Sequence, residues 1–248
     1  MSEVRYRSNV TGAEEPPFCM TPTAEQIFHA VSECIRSRHV KLGWIIGPPG
    51  IGKTSALREF AEQTPDCVMV TMSPGHITMK TALGYILRNL GYAPPRSTHE
   101  TYEEVQGLLE SRGVRALIVD EAQESFVGLS NALRRISDDI GLAVIFCGNP
   151  KFLTNFGKER EAFAQITSRL AVNLRLGKPP ITDVSAICDL LGVRDAAARS
   201  FLFKCSQSHG ALRIVHSLVQ KGARLAGSPE SIRASHLRDA LSTIGGIQ

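Results

Sequence analysis

A glycine-rich segment, Gly47–Thr54, has the residue spacing of a phosphate-binding loop. It reads Gly-Pro-Pro-Gly-Ile-Gly-Lys-Thr and fits the pattern G-x-x-x-x-G-K-[ST]. The apolar run Trp44–Ile46 predicts a strand before it, and a helical stretch follows it, which is the context that this motif requires. Glycines let backbone N–H groups turn towards phosphate oxygens, while Lys53 supplies a positive charge and Thr54 a hydroxyl for Mg²⁺. We therefore predict an ATP site contacted by Gly47, Pro48, Pro49, Gly50, Ile51, Gly52, Lys53, Thr54 and Ser55.

Two acidic residues end another predicted strand. The apolar run Ala116–Val119 leads directly into Asp120 and Glu121. In a chain with a phosphate-binding loop, Asp120 is predicted to hold magnesium, and Glu121 to orient and deprotonate the attacking water. An isolated Asp-Glu pair is more often a solvated loop, but its place at the end of a buried strand favours chemistry. The presence of Glu121 predicts hydrolysis of ATP rather than binding alone.

Polar residues at other predicted strand and helix ends are further candidates for nucleotide contact. The strand Leu142–Cys147 runs into a Gly-Asn pair, so Asn149 would bridge the water and the γ-phosphate, although Gly-Asn alone is a turn signal. Arg169 is a candidate arginine finger for a neighbouring subunit's nucleotide, and Arg160 competes for that role. Arg213, at the start of a helix, would contact the nucleotide from a lid. Arginines near helix ends are often simply solvated or paired with the helix dipole.

The order of apolar runs indicates which elements position these residues. Four runs predict buried strands: Trp44–Ile46, Val68–Val70, Ala116–Val119 and Leu142–Phe146. Helical stretches separate them, around 53–63, 78–90, 101–111 and 126–138, which predicts an α/β fold with a parallel sheet flanked by helices. Beyond 177–180 only helical periods follow. We predict a flexible arm over 1–20, an α/β nucleotide-binding domain over 21–178 and a small helical lid over 179–248.

The composition is that of an ordinary globular protein. Of 248 residues, 43% are apolar and 21% charged, and no apolar run is long enough for a membrane span. The six cysteines are far apart, which predicts reduced thiols in a cytoplasm, several of them in the core. The sole tryptophan, Trp44, is also predicted to lie in the core. A net charge of +4 permits an anionic partner without demanding one.

The order of these motifs resembles the AAA+ ATPases: phosphate-binding loop, Asp-Glu strand, Asn sensor, Ser-Arg finger, and a helical lid carrying Gly-x-x-Arg. The resemblance covers about residues 20–245. Within that superfamily the chain is most similar to the transposition target-selection ATPases, the Mu B and TnsC group. The residues that carry this closer resemblance are Glu15–Phe18, Leu117–Ala122, Ile140–Ile145 with Gly148–Asn149, Ser168–Ala171 and Gly210–Ile214.

The resemblance implies a function on DNA, with ATP and Mg²⁺ as cofactors. It implies ATP-dependent helical filaments on double-stranded DNA without sequence preference, and recruitment and stimulation of a DDE transposase, with a targeting adaptor as a further partner. Hydrolysis would dismantle the filament. A bacterial or phage-encoded protein of the cytoplasm, without a membrane partner, is expected. Mu B proteins carry an N-terminal helix-turn-helix module, for which this chain has no room before Thr21.

In the resembled family, the loop and helix after the second strand face the filament lumen. Here that segment is Thr71–Lys80, and the candidate DNA contacts are Thr78, Lys80 and Arg96. Thr78 could equally cap the next helix. Arg134 and Arg135 are also basic, but pairing with Asp138 and Asp139 one helical turn later explains them equally well.

Two other functions fit the same nucleotide residues. One is a helicase-loader-like ATPase of the kind that accompanies insertion-sequence transposases, which would form small closed oligomers. The other is a nucleotide-switched scaffold that forms no filament.

Overall fold

The computed structural model describes residues 7–8, 14–15, 17–75, 78–157, 167–208 and 210–243. The strands within these ranges are β1 (Arg7–Ser8), β2 (Glu14–Glu15), β3 (Leu42–Ile46), β4 (Cys67–Thr71), β5 (Ala116–Asp120), β6 (Ala143–Gly148) and β7 (Leu170–Arg175). The helices are α1 (Pro22–Arg36), α2 (Lys53–Gln63), α3 (Met79–Asn89), α4 (Thr98–Ser111), α5 (Val127–Ile140), α6 (Lys151–Gly157), α7 (Ile181–Leu190), α8 (Ala196–Ser206), α9 (Ala211–Ala226) and α10 (Ala234–Ser242).

The chain divides into two compact units, each assembled from separate stretches of sequence. The first unit comprises Met1–Gln26, Pro49–Ala56 and Gly177–Gln248. The second comprises Ile27–Pro48 and Leu57–Leu176. The phosphate-binding loop from Pro49 onward therefore groups with the helical tail. The domain limits expected from the sequence, at 20/21 and 178/179, stay a prediction.

A five-stranded parallel sheet in the order β4-β5-β6-β3-β7 forms the centre of the second unit. The three inner strands are buried at every position, as expected of strands covered on both faces. Because all the strands run parallel, β3, β5 and β6 end at the same edge of the sheet. The predicted α/β class, with a parallel sheet flanked by helices and a helical region after it, is confirmed.

Strand β7 is an element that the sequence did not predict. It pairs in parallel with β3 at the edge of the sheet, and its residues alternate between half-buried and exposed. Such an edge strand includes polar residues, here Asn173 and Arg175, so it lacks the continuous apolar run of an inner strand. Helix α4 also begins earlier than predicted, because Ser97 and Glu100 form a capping box at its start.

Aromatic side chains fill the core next to the sheet. Trp44 and Phe146 are buried on strands β3 and β6, and Phe152 of α6 is buried beside them. The rings of Trp44 and Phe152 meet edge to face, with their centroids 5.5 Å apart. The prediction that Trp44 belongs to the core is confirmed.

Helices α7 to α10 build a separate core in the first unit, from residues such as Val184, Leu202 and Val215. Helix α9 packs closely on α10, since a Cβ on Gly222 would lie 2.9 Å from Cδ2 of Leu237. The fully buried Asp183 of α7 accepts a hydrogen bond of 3.1 Å from the backbone N–H of Thr23. This contact joins the start of α1 to the tail.

The six cysteines, all within the described part of the chain, are free thiols. Four are buried: Cys34, Cys67, Cys147 and Cys188. Burial raises the pKa of Cys34 and of Cys67 to about 12, so these thiols stay protonated. The prediction that several of the cysteines fill the core is confirmed. None of the described helices is long and apolar enough to cross a membrane.

Candidate functional site

The phosphate-binding loop has the backbone that its sequence predicts. Gly50 has φ +81 and Gly52 has φ +93, values that side-chain-bearing residues rarely adopt. Ile51 between them is buried and anchors the loop. Helix α2 begins at Lys53, and its first turn is closed by a 2.9 Å bond from the Ala56 N–H to the Gly52 carbonyl. Backbone N–H groups at such a turn and helix start form an anion-binding concavity, so the loop fits the phosphates of ATP.

The loop contacts the start of helix α9 inside the first unit. The Leu212 N–H donates to the Gly50 carbonyl at 3.0 Å. A Cβ on Gly50 would lie only 2.3 Å from the Gly210 carbonyl oxygen, so the two backbones touch. Arg213 follows in the same turn, with its side chain exposed and its N–H donating to Gly210 at 2.9 Å. The structure thus brings Arg213 and the loop into one unit.

The other predicted loop residues differ in their exposure. Gly47 is buried at the end of β3, where its N–H donates to the Gly148 carbonyl of β6 at 3.1 Å. Three residues are half-buried, namely Pro48, Lys53 and Thr54, and two are exposed, Pro49 and Ser55. Their contacts with a nucleotide stay a prediction.

The predicted acidic residues lie at the carboxyl edge of the sheet in the second unit. Asp120 is the last residue of β5 and is only 1% exposed. Glu121 follows in an exposed position with a left-handed backbone, φ 51 and ψ 41. Such a conformation costs on the order of 1–2 kcal/mol for a residue with a Cβ, and backbone strain of this kind often marks functional sites. Asp120 and Glu121 therefore differ sharply: one is buried in the sheet, the other turned out of it.

Gln123, which was not predicted from the sequence, connects the ends of strands β5 and β6. Its side-chain N–H donates to the Glu121 carboxylate, and its side-chain carbonyl accepts from the Asn149 N–H at 3.1 Å. The side chain of Asn149 itself accepts from the Lys151 N–H at 2.9 Å, at the start of α6. The structure therefore brings Glu121 and Asn149 together through Gln123. The feature of the sequence that could have pointed to Gln123 is its polar side chain two positions after Glu121, the predicted base.

Arg169 is paired within its own chain. Its Nη1 lies 3.0 Å from Oδ2 of Asp138, which Arg134 also contacts at 2.8 Å. The contact between Arg134 and Asp138 confirms the predicted i,i+4 pairing of Arg134. The role of Arg169 as a finger stays a prediction, and Arg160 lies outside the described residues.

The candidate DNA residues are exposed, but one of them has a local role. Thr78 caps helix α3: its Oγ1 accepts from the Thr81 N–H at 3.2 Å, and its own N–H donates to Thr81 Oγ1 at 3.1 Å. The alternative reading of Thr78 as a helix cap is thus confirmed. Lys80 in the first turn and Arg96 after the helix are both exposed. Their contacts with DNA stay predictions.

The binding of magnesium stays a prediction. Among the described residues, no group of three or more His, Cys, Asp or Glu side chains could hold a metal ion. Mg²⁺ is usually bound through one or two protein ligands together with phosphate oxygens and waters. Taken separately, the carboxylate of Asp120 in the second unit and the hydroxyl of Thr54 in the first unit are oxygen groups of that kind.

Comparison with known families covers both parts of the chain. Residues 36–156 match the AAA domain family, and residues 168–244 match the family of the Mu B transposition protein C-terminal region. Along the chain, a region similar to the AAA domain is thus followed by a region similar to the Mu B C-terminal domain. The resemblance to the Mu B group inferred from its motifs is confirmed.

Named relatives of this Mu B-like chain come from phages and a prophage. It is 27% identical over 247 residues to the ATP-dependent target DNA activator B of Escherichia phage Mu, covering 95% of this chain and 76% of that protein. It is also 27% identical over 213 residues to the Mu-like prophage FluMu DNA transposition protein B of Haemophilus influenzae, covering 82% and 71%.

Solved structures support the fold. The ORC2 protein of Aeropyrum pernix, in its ADPNP-ADP complexes, matches the Mu B-like chain with a TM-score of 0.67 and 16% identity, covering 91% of this chain and 68% of that one. Domain III of the Thermotoga maritima replication initiation protein DnaA matches with a TM-score of 0.59 and 18% identity, covering 91% and 93%. At these identities the likeness shows a shared fold.

Proposed function

We propose that this protein is an ATP-hydrolysing regulator of DNA transposition, which binds double-stranded DNA without sequence preference and activates a transposase. The observation that carries the proposal is the phosphate-binding loop, with Gly50 and Gly52 in left-handed conformations directly before helix α2. The name of the phage Mu relative, an ATP-dependent target DNA activator, supports the functional class.

Each nucleotide-site residue has a role that follows from its chemistry. Lys53 neutralises phosphate charge, and Thr54 and Asp120 supply oxygen ligands to Mg²⁺, which stabilises charge on the transferring phosphoryl group. Glu121 orients the attacking water and accepts its proton. Asn149 senses the γ-phosphate, and Arg213 contacts the nucleotide from the helical lid.

We infer that Arg169 acts on the nucleotide of a neighbouring subunit. Its partner in its own chain is exposed: the side chains of Arg169 and Asp138 are 52% and 42% accessible. Exposed ion pairs contribute only about 0–1 kcal/mol, so a neighbour's phosphates could displace Asp138 at small cost. In this proposal, subunits stack as a helical filament on DNA with ATP between neighbours, and hydrolysis releases them.

The binding to DNA in this proposal rests on few charges in each subunit. Lys80 lies in the first turn of α3, where the helix dipole also favours an anion such as a phosphate. With a net charge of +4, a single subunit binds weakly, and a filament sums the contacts of many. The affinity should therefore be cooperative, depend on ATP and fall steeply with salt.

The partners follow from this function. A DDE transposase is the protein that the DNA-bound form recruits and stimulates, and a targeting adaptor is a further partner. The reaction takes place in the cytoplasm of a bacterial host, where DNA and ATP are both available.

Two measurements test the proposal. Purified protein should hydrolyse ATP only with Mg²⁺, slowly alone and faster with DNA or transposase. K53A should lose ATP binding, whereas E121Q should bind ATP and hydrolyse it slowly. Normal turnover by E121Q would remove Glu121 as the base.

Electron microscopy with DNA and a slowly hydrolysed ATP analogue tests the assembly. Helical filaments are expected. Small closed rings would favour a helicase-loader-like ATPase, and nucleotide binding without DNA-bound assemblies would favour a nucleotide-switched scaffold. Either of these two results contradicts the proposed filament.

A further inference from the structure

We propose that Gln123 is a positioning residue, which ties the carboxylate of Glu121 to the end of strand β6 and holds the base in its working orientation. This inference rests on the proposed function, since it assumes that Glu121 is the base for ATP hydrolysis. It adds a residue that connects Glu121 to Asn149, the predicted sensor at the end of strand β6.

The Glu121 carboxylate and the Asn149 N–H fix how the Gln123 amide group is oriented. The Glu121 carboxylate, when ionised, can only accept a hydrogen bond, and the Asn149 N–H can only donate one. The Gln123 amide therefore presents its N–H to Glu121 and its carbonyl to Asn149, as the structure has it. Only a side-chain amide can serve both partners at once. Neither a carboxylate nor an alkyl chain of the same length can.

The space around Gln123 is limited by β6. A Cβ on Gly148, the last residue of that strand, would lie 2.7 Å from Oε1 of Gln123 and 3.4 Å from its backbone nitrogen. Real Cβ atoms essentially never approach another heavy atom this closely, below 3.0 Å. Glycine at position 148 is therefore what allows Gln123 to reach the Asn149 N–H. Gly148 supports the acceptor end of the Gln123 bridge.

A tight turn brings Gln123 next to Glu121. The turn Ala122–Glu124 is a single 3₁₀ turn, closed by the Glu124 N–H donating to the Glu121 carbonyl at 2.9 Å. The left-handed backbone of Glu121 starts this turn, and the Glu121 side chain makes no capping bond to it. Gln123 is buried, whereas Glu121 is exposed. The bond from a buried, fixed amide thus restrains a carboxylate on the exposed side of the turn.

The bond to Gln123 matters because a general base works only within hydrogen-bond reach of the water that it deprotonates. A misplacement of about 1 Å can cost about 100-fold in rate. Without Gln123 the Glu121 side chain would sample other rotamers. The rate of hydrolysis should then fall while nucleotide affinity, which depends on the phosphate-binding loop, is kept.

The experiment compares wild type with Q123A, Q123E and G148A. Steady-state hydrolysis gives kcat, and titration with a fluorescent ATP analogue gives the affinity. We expect Q123A and G148A to lower kcat about 10- to 100-fold with the Kd changed less than about twofold. Circular dichroism melting serves as the folding control. Q123E, which has nearly the volume of glutamine, keeps the test decisive should Q123A or G148A fold poorly.

Q123E separates the bond to Glu121 from the bond to Asn149. Its carboxylate can accept from the Asn149 N–H but has no N–H to donate to Glu121. We expect its kcat to fall about as far as that of Q123A, with the Kd again changed less than about twofold. A general loss of structure would instead weaken the Kd together with kcat.

The possible outcomes distinguish a failure of the proposed function from a failure of the positioning role of Gln123. Absence of Mg²⁺-dependent hydrolysis in wild type would remove the proposed function and the role of Gln123 with it. Hydrolysis in wild type that slows in E121Q but not in the Gln123 variants would leave the function and overturn the positioning role. A kcat that rises, a Kd that weakens in step with kcat, or a Q123E variant with the kcat of wild type would also overturn it.

Discussion

From the contact between Gly50 and Gly210 we predict how much a side chain at position 50 lowers the free energy of unfolding. G50A should destabilise the protein for two reasons: its backbone is left-handed, and its Cβ would meet a carbonyl oxygen at 2.3 Å. G227A is a matched control. Gly227 is in the same unit with φ +83, against +81 for Gly50, and nothing lies within 4 Å of its added Cβ. Both variants carry the same backbone strain, and only G50A carries the clash.

Three contributions set the magnitudes: backbone strain, overpacking and one weakened hydrogen bond. A Cβ in a left-handed backbone costs about 1–2 kcal/mol, which is the whole expected effect of G227A. In G50A the Gly210 carbonyl must also move away, which adds about 1–3 kcal/mol of overpacking. The movement weakens the bond from the Leu212 N–H to the Gly50 carbonyl, a further contribution of about 1 kcal/mol. G50A should therefore be less stable than G227A by about 2–4 kcal/mol.

Urea unfolding followed by far-UV circular dichroism measures both variants without nucleotide. The two curves should have similar slopes, so that the shift in midpoint reports stability. The G50A midpoint should lie clearly below that of G227A. Equal losses in the two variants would mean that the loop does not contact the start of α9.

Four further predictions concern the strained base, the finger, the DNA contact and a buried histidine. E121G should stabilise the fold by about 1 kcal/mol, because glycine adopts the left-handed backbone of position 121 without strain, and it should abolish ATP hydrolysis. Thermal melting and an ATPase assay measure the two effects. A lower melting temperature than that of wild type would contradict the predicted stabilisation. R169A should lose hydrolysis but regain it when mixed with K53A, which supplies the arginine; a mixture that stays inactive would rule out action in trans. K80A should weaken DNA binding about equally on unrelated duplexes, as measured by anisotropy, whereas a loss on one sequence alone would contradict backbone contact. Burial lowers the pKa of His216 from 6.5, so the folded protein resists protonation of this side chain, and the free energy of unfolding should fall as the pH drops below 6.5. H216Q should make the free energy of unfolding, measured with urea, less dependent on pH in this range. An unchanged dependence would contradict the prediction.

The features predicted from the sequence are those set by local pattern. The buried strand ending at Asp120 is visible because an inner parallel strand is apolar throughout. The phosphate-binding loop is visible because its glycines and Lys53 stand at fixed spacing. Strand β7 was missed because an edge strand has no such run. A strand of that kind is defined by its neighbour, here β3, more than by its own residues.

The missed contacts depend on residues far apart in the chain. Gln123 reaches Asn149 across 26 positions, and Arg169 pairs with Asp138 across 31. No local pattern encodes either partner, since each pair forms only when strand ends or helices meet in the folded unit. Thr78 illustrates the opposite case. Its bond to Thr81 lies within one helical turn, so the cap could be considered from the sequence alone.

The discontinuous first unit has a consequence for synthesis on the ribosome. The backbone of Gly50 receives its bond from Leu212, and the N–H of Thr23 is satisfied by Asp183, 160 residues later. At translation rates of about 5–20 residues per second, the stretch from Gly177 to Leu212 takes roughly 2–7 s to make after the last residue of the second unit. During that interval the nascent chain holds a phosphate-binding loop that lacks its packing partner. A ribosome stalled before Gly210 would therefore carry a chain whose sheet strands are all made, while the Gly50 carbonyl still lacks the Leu212 N–H that bonds to it in the folded unit.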